Sequence, residues 1–456
     1  MPKIEHVVVL MLENRSFDCM LGRLYPKSDA FDGLDGTESN PWHRPDGKVE
    51  EIRVWNSPAM LPETAVIPDP DPGELFADVQ MQLFGLCGGQ QPTMSGFVDN
   101  YMRQPRLNGP PDPRAVMHYF TPAQVPVLSL LARSFGVSDR WHASAPCETW
   151  PNRYFTHCGT GGGFVNNERS RFPRRWPRMM PTIFNRLGKA GRSWKIYFHD
   201  LPQAATLLHL WLDIPTRFRL FEGEFAEDAR SGRLPNYSFI EPRYYASRLT
   251  NKVPNDQHPP HNIVYGEQLI AAVYNALRSA PTWQRTLLII TYDEIGGCFD
   301  HVPPPPAVPP GGPYPDGFTF DLYGVRVPTV IVSPFVAPGS ILRPPAAGDG
   351  PSYPFDHTSI IATLEKLFGL APPMTPRVAA APDLLSVLTL EEPANDGPER
   401  IAAHPRRPSA AETRAHARQR HNRLQRNLRS VRAGIPGRMA RAIAHGHRLR
   451  TRISSQ

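Results

Sequence analysis

The stretch Val7-Val8-Val9-Leu10-Met11-Leu12-Glu13-Asn14-Arg15 decides the fold class. Six apolar residues in a row, three of them valine, end abruptly in a carboxylate, an amide and a guanidinium. A run with no polar alternation fits a strand buried on both faces, as in a parallel sheet covered by helices. Two other runs have the same form. Thr286–Thr291 (TLLIIT) leads into Tyr292-Asp293-Glu294, and Val327–Val332 (VPTVIV) leads into Ser333-Pro334. Helical patterns occupy Pro126–Gly136, Gly266–Ala280 and Thr358–Phe368. This alternation predicts an α/β fold, doubly wound, with a mostly parallel sheet and helices on both faces. Ligands in such folds sit outside the carboxyl ends of the strands. Either acidic strand end alone is equally well explained as a helix cap. Two of them in one sheet, with histidines in nearby loops, favour a metal site.

Working outward, the 456 residues allow one large domain or two ordinary ones. The longest apolar runs fall far short of the ~20 residues that span a membrane. The chain has 53 prolines, more than twice the usual share of about 5%, so long extended connections are expected. Segments 40–75 and 301–316 are the richest, and eight prolines keep the second out of any sheet interior. Residues 200–260 show little pattern and are expected to form a cap or insertion. Five cysteines without a CxxC pair speak against a disulfide framework or a zinc finger. The start MPKIEH lacks a basic and then apolar leader, so a cytoplasmic protein is expected, with export by a signal-independent route left open.

Charge is divided unevenly. The formal net charge is +7, yet residues 400–456 hold 15 Arg, no Lys, no Asp and one Glu, so the preceding residues carry −7. A division at 1–398 and 399–456 follows, with an Arg-rich tail suited to an anionic membrane or, less well, nucleic acid. Thr413–Arg432 lacks Pro and Gly and has the makings of a basic helix. Its apolar residues are sparse, so a disordered, solvated tail is the favoured expectation.

No GxSxG elbow, HExxH or Walker A sequence is present, and Gly159–Gly163 is better explained as a turn. Six dispersed polar clusters remain: Glu13-Asn14, Thr149 in Thr-Trp-Pro-Asn-Arg, Asp256-Gln257-His258, Asp293-Glu294, Asp300-His301 and Asp356-His357. Carboxylates with an amide oxygen suit a hard or borderline divalent cation. Histidines beside them are candidates for metal ligation or proton donation.

Several segments carry a resemblance. They are Ile4–Gly22 (IEHVVVLMLENRSFDCMLG), Met94–Tyr101 (MSGFVDNY) and Val116–Arg153, ending in CETWPNR. Later come His258–Glu267 (HPPHNIVYGE), Thr291–Val302 (TYDEIGGCFDHV), Tyr323–Val336 (YGVRVPTVIVSPFV) and Phe355–Ile361 (FDHTSII). In this order, over about residues 4–372, the sequence resembles a bacterial phosphoesterase family of the alkaline phosphatase superfamily. That family contains phospholipases C of non-haemolytic type and an acid phosphatase.

The resemblance implies a catalytic domain within 1–398 that hydrolyses phosphate esters. It implies that Thr149 is the nucleophile, forming a transient phosphothreonine. Glu13, Asn14, Asp293 and Glu294 would bind one divalent metal ion: calcium, zinc, manganese or magnesium. His258, His301 and His357 would hold phosphate oxygens and protonate the leaving group, while Asp356 orients a neighbour and Arg153 braces the fold. Glu148 departs from the family pattern, where a small residue is common; it would either repel a phosphate dianion or point outward. Cys298 also departs from it, and residues past 372 do not resemble the C-terminal β domains of longer phospholipases C.

Two classes of function follow. The first is phosphate ester hydrolysis, with phospholipase C on phospholipid phosphodiesters favoured over acid phosphatase on monoesters. Phe84, Phe97, Trp211 and Tyr244 are candidates for an apolar rim beside a lipid. The second is an inactive scaffold that binds nucleic acid or an anionic membrane through its tail. The competent residues at every matched position favour the enzyme.

Overall fold

Every residue of His6–Leu12 is buried in a strand, β1, as its unbroken apolar run requires. Seven other strands complete the central sheet: β2 (Gly136–Ser138), β3 (Trp194–Phe198), β4 (Phe218–Leu220), β5 (Tyr237–Ile240), β6 (Thr286–Tyr292), β7 (Thr329–Val332) and β8 (Ser340–Ile341). Their order is β8-β2-β7-β6-β1-β5-β3-β4. The computed structural model describes residues 3–105, 111–167, 180–346, 351–419 and 421–434.

The sheet is mostly parallel. β1 pairs in parallel with β5 on one side and β6 on the other, and only β7 is reversed against its neighbours β6 and β2. That reversal sends Ser333-Pro334 to the far edge of the sheet, away from Glu13 and Asp293. The helices that matter for the site are α1 (Phe17–Leu21), α2 (Pro126–Ser134), α3 (Thr149–Cys158), α4 (Ile263–Arg278) and α5 (Thr358–Phe368). Two helices close the described chain, α6 (Ala410–Arg418) and α7 (Arg423–Gly434). Among the described residues no helix is long and apolar enough to cross a membrane.

Two expectations need correction. Residues 200–260 are not a separate cap, because they supply β4 and β5, and β5 lies beside β1 at the heart of the sheet. Strands of three or four residues are too short to show a period in sequence. The second correction concerns the tail, which is docked rather than solvated over residues 410–419 and 421–429. Leu424 and Leu428, one helical turn apart, are fully buried. Tyr265 donates its hydroxyl to Glu412 at 2.9 Å, Thr413 donates to Asn251 Oδ1 at 2.8 Å, and Tyr245 donates to the Gln425 carbonyl at 2.5 Å. The stretch before α6 is fastened to α4, with Tyr274 donating to the Pro398 carbonyl and Asn275 to the Ile401 carbonyl. Residues 435–456 of the predicted tail lie outside the described residues.

Candidate active site

Register places the two acidic strand ends side by side, because Leu12 of β1 pairs with Tyr292 of β6. The Asn14 backbone N–H donates to Asp293 Oδ1 at 3.2 Å. Asn14 holds a left-handed φ of 51°, a conformation asparagine tolerates better than most residues. The glycines of Asp-Glu-Ile-Gly-Gly serve this packing. Gly296 has φ 54°, and a Cβ there would come within 2.6 Å of Asn14 Cβ.

Thr149 is the first residue of α3, so its hydroxyl sits at the positive end of a ten-residue helix. Its Oγ1 lies 3.5 Å from Glu13 Oε2. Pro151 fits in the first turn, where a backbone N–H has no helical partner. Asn152 shapes the turn before Thr149. Its Oδ1 accepts from the Ala145 N–H, and its Nδ2 donates to the carbonyls of Ala145, Cys147 and Glu148. Arg153 ties α3 to the strand ends, with Nη2 2.5 Å from Glu13 Oε1 and Nε 3.0 Å from Asp293 Oδ2. Thr-Trp-Pro-Asn-Arg thus combines a hydroxyl beside Glu13, a helix start and two braces in five residues.

His258 joins the same centre. Its ring is fully buried, with Nε2 3.2 Å from Glu74 Oε2 and Nδ1 2.7 Å from the Pro259 carbonyl. Glu74 Oε2 also accepts from Asn14 Nδ2 at 2.6 Å, so one carboxylate links the histidine to a predicted metal ligand. Arg15 positions the loop before His258, donating to the carbonyls of Gln257 and Ile67. Glu74 escaped the sequence reading, since nothing sets it apart within its proline-rich loop. Gln203 was equally silent, yet it donates to Glu13 Oε1 at 2.7 Å. Its backbone N–H is held by Glu241, the residue that follows β5.

Electrostatically the centre is short of positive charge. Burial, with repulsion from Asp293, raises the Glu13 carboxyl well above its ordinary range, although Arg153 and His258 oppose this. Burial and the neighbouring Glu74 and Asp293 raise Glu294 in the same way. Glu148, also buried and repelled by Glu74, is pushed up to about 8. His258 moves the other way for a base: burial favours its neutral ring, but Asp71, Glu74 and Asp256 outweigh it and keep it protonated. Asn14 Oδ1, Glu74 Oε1 and Glu294 Oε1 are buried without a hydrogen-bond partner. Oxygen donors left unpaired among repelling carboxylates fit a divalent cation.

The structure brings together Glu13, Asn14, Thr149, Arg153, His258, Asp293 and Glu294, but uses the remaining predicted residues elsewhere. His301 pairs with Asp18 at 2.6 Å and Asp32 at 3.1 Å. Asp18, Asp300 and His301 have ligand atoms within 4.8 Å of one another, a spacing open to a metal. Arg326 already serves both carboxylates, at 3.0 Å from Asp18 and 2.9 Å from Asp300. His357 accepts from the Trp141 indole N–H at 3.3 Å and donates to the Asp293 carbonyl at 2.7 Å, so both ring nitrogens are occupied. Burial lowers its pKa and keeps it neutral. It therefore steadies Asp293 instead of reaching a phosphate.

Asp356 accepts from Ser144 at 2.8 Å and from Thr358 at 2.5 Å, bracing the segment that leads to Thr149. Glu148 neither points outward nor stands free. It is buried, accepting from the Asn167 N–H at 2.6 Å. Of the rim candidates, Phe97 and Tyr244 are buried in the core, and Tyr244 donates to Glu241. Phe84 and Trp211 are partly buried against it.

The profile of the Phosphoesterase family matches residues 4–371, a span that contains every residue of this centre. The chain belongs to the Phosphoesterase family. Non-specific phospholipase C1 of Arabidopsis thaliana is 38% identical over 379 residues, spanning 80% of this chain and 67% of that protein. Phospholipase C A of Mycobacterium tuberculosis is 30% identical over 440 residues, spanning 86% and 78%. A solved protein of the alkaline phosphatase superfamily from Vibrio parahaemolyticus aligns at 12% identity with a TM-score of 0.34, over 57% of this chain and 63% of that one. As a phosphoesterase, the protein is a hydrolase acting on phosphate esters.

Proposed function

We propose that this phosphoesterase is a phospholipase C that cleaves phospholipid phosphodiesters through a covalent phosphothreonine at Thr149, with one divalent cation held by Glu13, Asn14, Asp293 and Glu294. The observation that carries this reading is the hydroxyl of Thr149 at a helix N-terminus, 3.5 Å from Glu13. The phospholipase C names of relatives in a plant and a bacterium support the substrate class.

A divalent cation bound there supplies the Lewis acidity that favours an ionised hydroxyl and polarises the phosphoryl group. The chain does the rest. Thr149 gives up its hydroxyl proton to solvent as Oγ attacks phosphorus, the bond to the glycerol oxygen breaks, and that oxygen takes a proton as diacylglycerol leaves. Water then attacks the same phosphorus, the bond to Oγ breaks, and the phosphorylated headgroup departs. The N-terminus of α3 directs its partial positive charge at the phosphoryl oxygens. His258, held protonated, is suited to bind one of those oxygens and to give the leaving oxygen its proton. Arg153 keeps Glu13 and Asp293 in register. The exposed Arg414, Arg418, Arg426 and Arg429 of α6 and α7 suit contact with an anionic bilayer.

Hydrolysis of p-nitrophenyl phosphorylcholine against p-nitrophenyl phosphate, each with and without EDTA, tests the reading. Diester turnover that EDTA abolishes is expected, with a phosphorylated Thr149 peptide recovered by mass spectrometry after acid quench. Turnover of the monoester alone would make the protein a phosphatase. Full activity in Thr149→Ala would remove the nucleophile from the account.

A further inference from the structure

Two features remain unexplained by this chemistry: the carboxylate of Glu148 next to the nucleophile, and the Arg-rich helix at the end of the described chain. They meet. Glu148 is the residue before Thr149, fully buried at the start of α3. One of its oxygens is taken by the Asn167 N–H, and the other lies 2.7 Å from Arg423 Nε at the start of α7.

The rest of α7 is seated to hold that pair. Leu424 and Leu428 are buried, Gln425 donates to the Tyr244 carbonyl at 2.6 Å, and Asn427 donates to the Asn167 carbonyl at 2.5 Å. Asn167 in turn accepts from the Trp150 N–H at 2.7 Å, so α7 and the nucleophile helix share one asparagine. The other arginines of the centre are held at their own posts, Arg153 by Glu13 and Asp293 and Arg15 by two backbone carbonyls, each with one guanidinium nitrogen left unpaired. Burial and Glu74 push the Glu148 carboxyl up to about 8 while Arg423 opposes them, and once ionised a bare carboxylate beside Thr149 would oppose a phosphate anion in a medium of low dielectric, where unit charges interact strongly.

We propose that Arg423 is a positioning residue of the active site, which acts through Glu148 by cancelling the negative charge beside Thr149 so that a phosphate anion can approach. The C-terminal helix is then part of the catalytic unit. This rests on Thr149 being the phosphate-handling residue.

The test is a double-mutant cycle on the full chain with divalent cation present, at a pH above the Glu148 value of about 8 and well below the melting temperature. Affinity for inorganic phosphate is read by calorimetry, and turnover is read separately. Arg423→Ala is expected to weaken phosphate binding about tenfold or more. Glu148→Gln, which keeps an acceptor for Asn167, is expected to restore binding in the Arg423→Ala background, and Arg423→Lys to retain most of it. The loss in turnover should appear in KM and be larger for dianionic p-nitrophenyl phosphate than for the monoanionic diester.

Equal losses for the two substrates would show a packing defect and overturn the proposal. So would undiminished phosphate binding in Arg423→Ala, failure of Glu148→Gln to restore it, or faster turnover in Arg423→Ala, which would make α7 a cover. Because phosphate affinity is measured without turnover, a chain that follows the cycle but hydrolyses nothing would defeat the phospholipase reading and leave this one standing.

Discussion

The segments that follow β1 and β6 build two buried clusters from the same residue types. Around Thr149 they contribute Glu13, Asn14, Asp293 and Glu294, joined by Glu74 and His258. Around Arg326 they contribute Asp18, Asp300 and His301, joined by Asp32. In the second cluster the chain brings its own counter-charge, a fully buried guanidinium bonded to two aspartates. In the first, Arg153 and His258 do not offset the carboxylates, whose pKa values rise, and oxygen atoms stay unpaired. Acidic residues in a loop therefore mean different things according to whether a cation is built in. A matched cluster holds the fold, whereas an unmatched one is suited to receive a cation and carries some cost in stability.

The comparison can be broken at four points. Glu294→Gln should lower turnover about 10²–10³-fold while leaving metal-free stability unchanged or higher, as read by parallel kinetics and denaturant titration. A clear loss of metal-free stability would place Glu294 with the matched cluster. Arg326→Ala should do the opposite and cost about 3–5 kcal/mol of stability by leaving Asp18 and Asp300 uncompensated. An unfolding midpoint like that of the parent would show that Arg326 is dispensable there.

Added divalent cation should stabilise the parent by about 2.7 kcal/mol at a hundred times its Kd, and much less in Glu294→Gln. A scan in which Arg326→Ala alone loses that response would move the metal to the second cluster. The last effect is in pH. Burial disfavours the charged ring of His301, but Asp18 and Asp32 raise its pKa to about 10. Its folded pKa exceeds the ordinary value of about 6.5. Its contribution to stability is therefore complete below about pH 6.5 and is lost as pH rises through about 10. His301→Gln should flatten that part of the stability profile, and an unchanged slope would assign the fall to other groups.

These contrasts mark where sequence is legible. Strands β1 and β6 declare themselves because unbroken apolar runs, six residues in β1 and four in β6, have few other uses, and the parallel pairing carries Glu13 and Asp293 together. Thr149 stands out only through the resemblance, since a threonine has no signature of its own. β4 and β5 stay hidden because three or four residues carry no period. Glu74 reaches the site from an irregular loop and Gln203 from a single 3-10 turn, both positioned by tertiary packing alone. His301 and His357 mislead for a specific reason: Asp-His reads the same whether the ring faces a substrate or is spent on Asp18, Asp32 or the Asp293 carbonyl. α7 misleads because two leucines suffice to dock it when side-chain and backbone partners are waiting in the loops beneath.

The place of β1 in the sheet has a consequence for how the molecule is made. Its two neighbours are Tyr237–Ile240 and Thr286–Tyr292. A ribosome adding roughly 5–20 residues per second takes on the order of ten seconds or more to supply either of them. Through that interval the most apolar segment of the chain has no edge to join, so its safekeeping falls to whatever shields nascent chains.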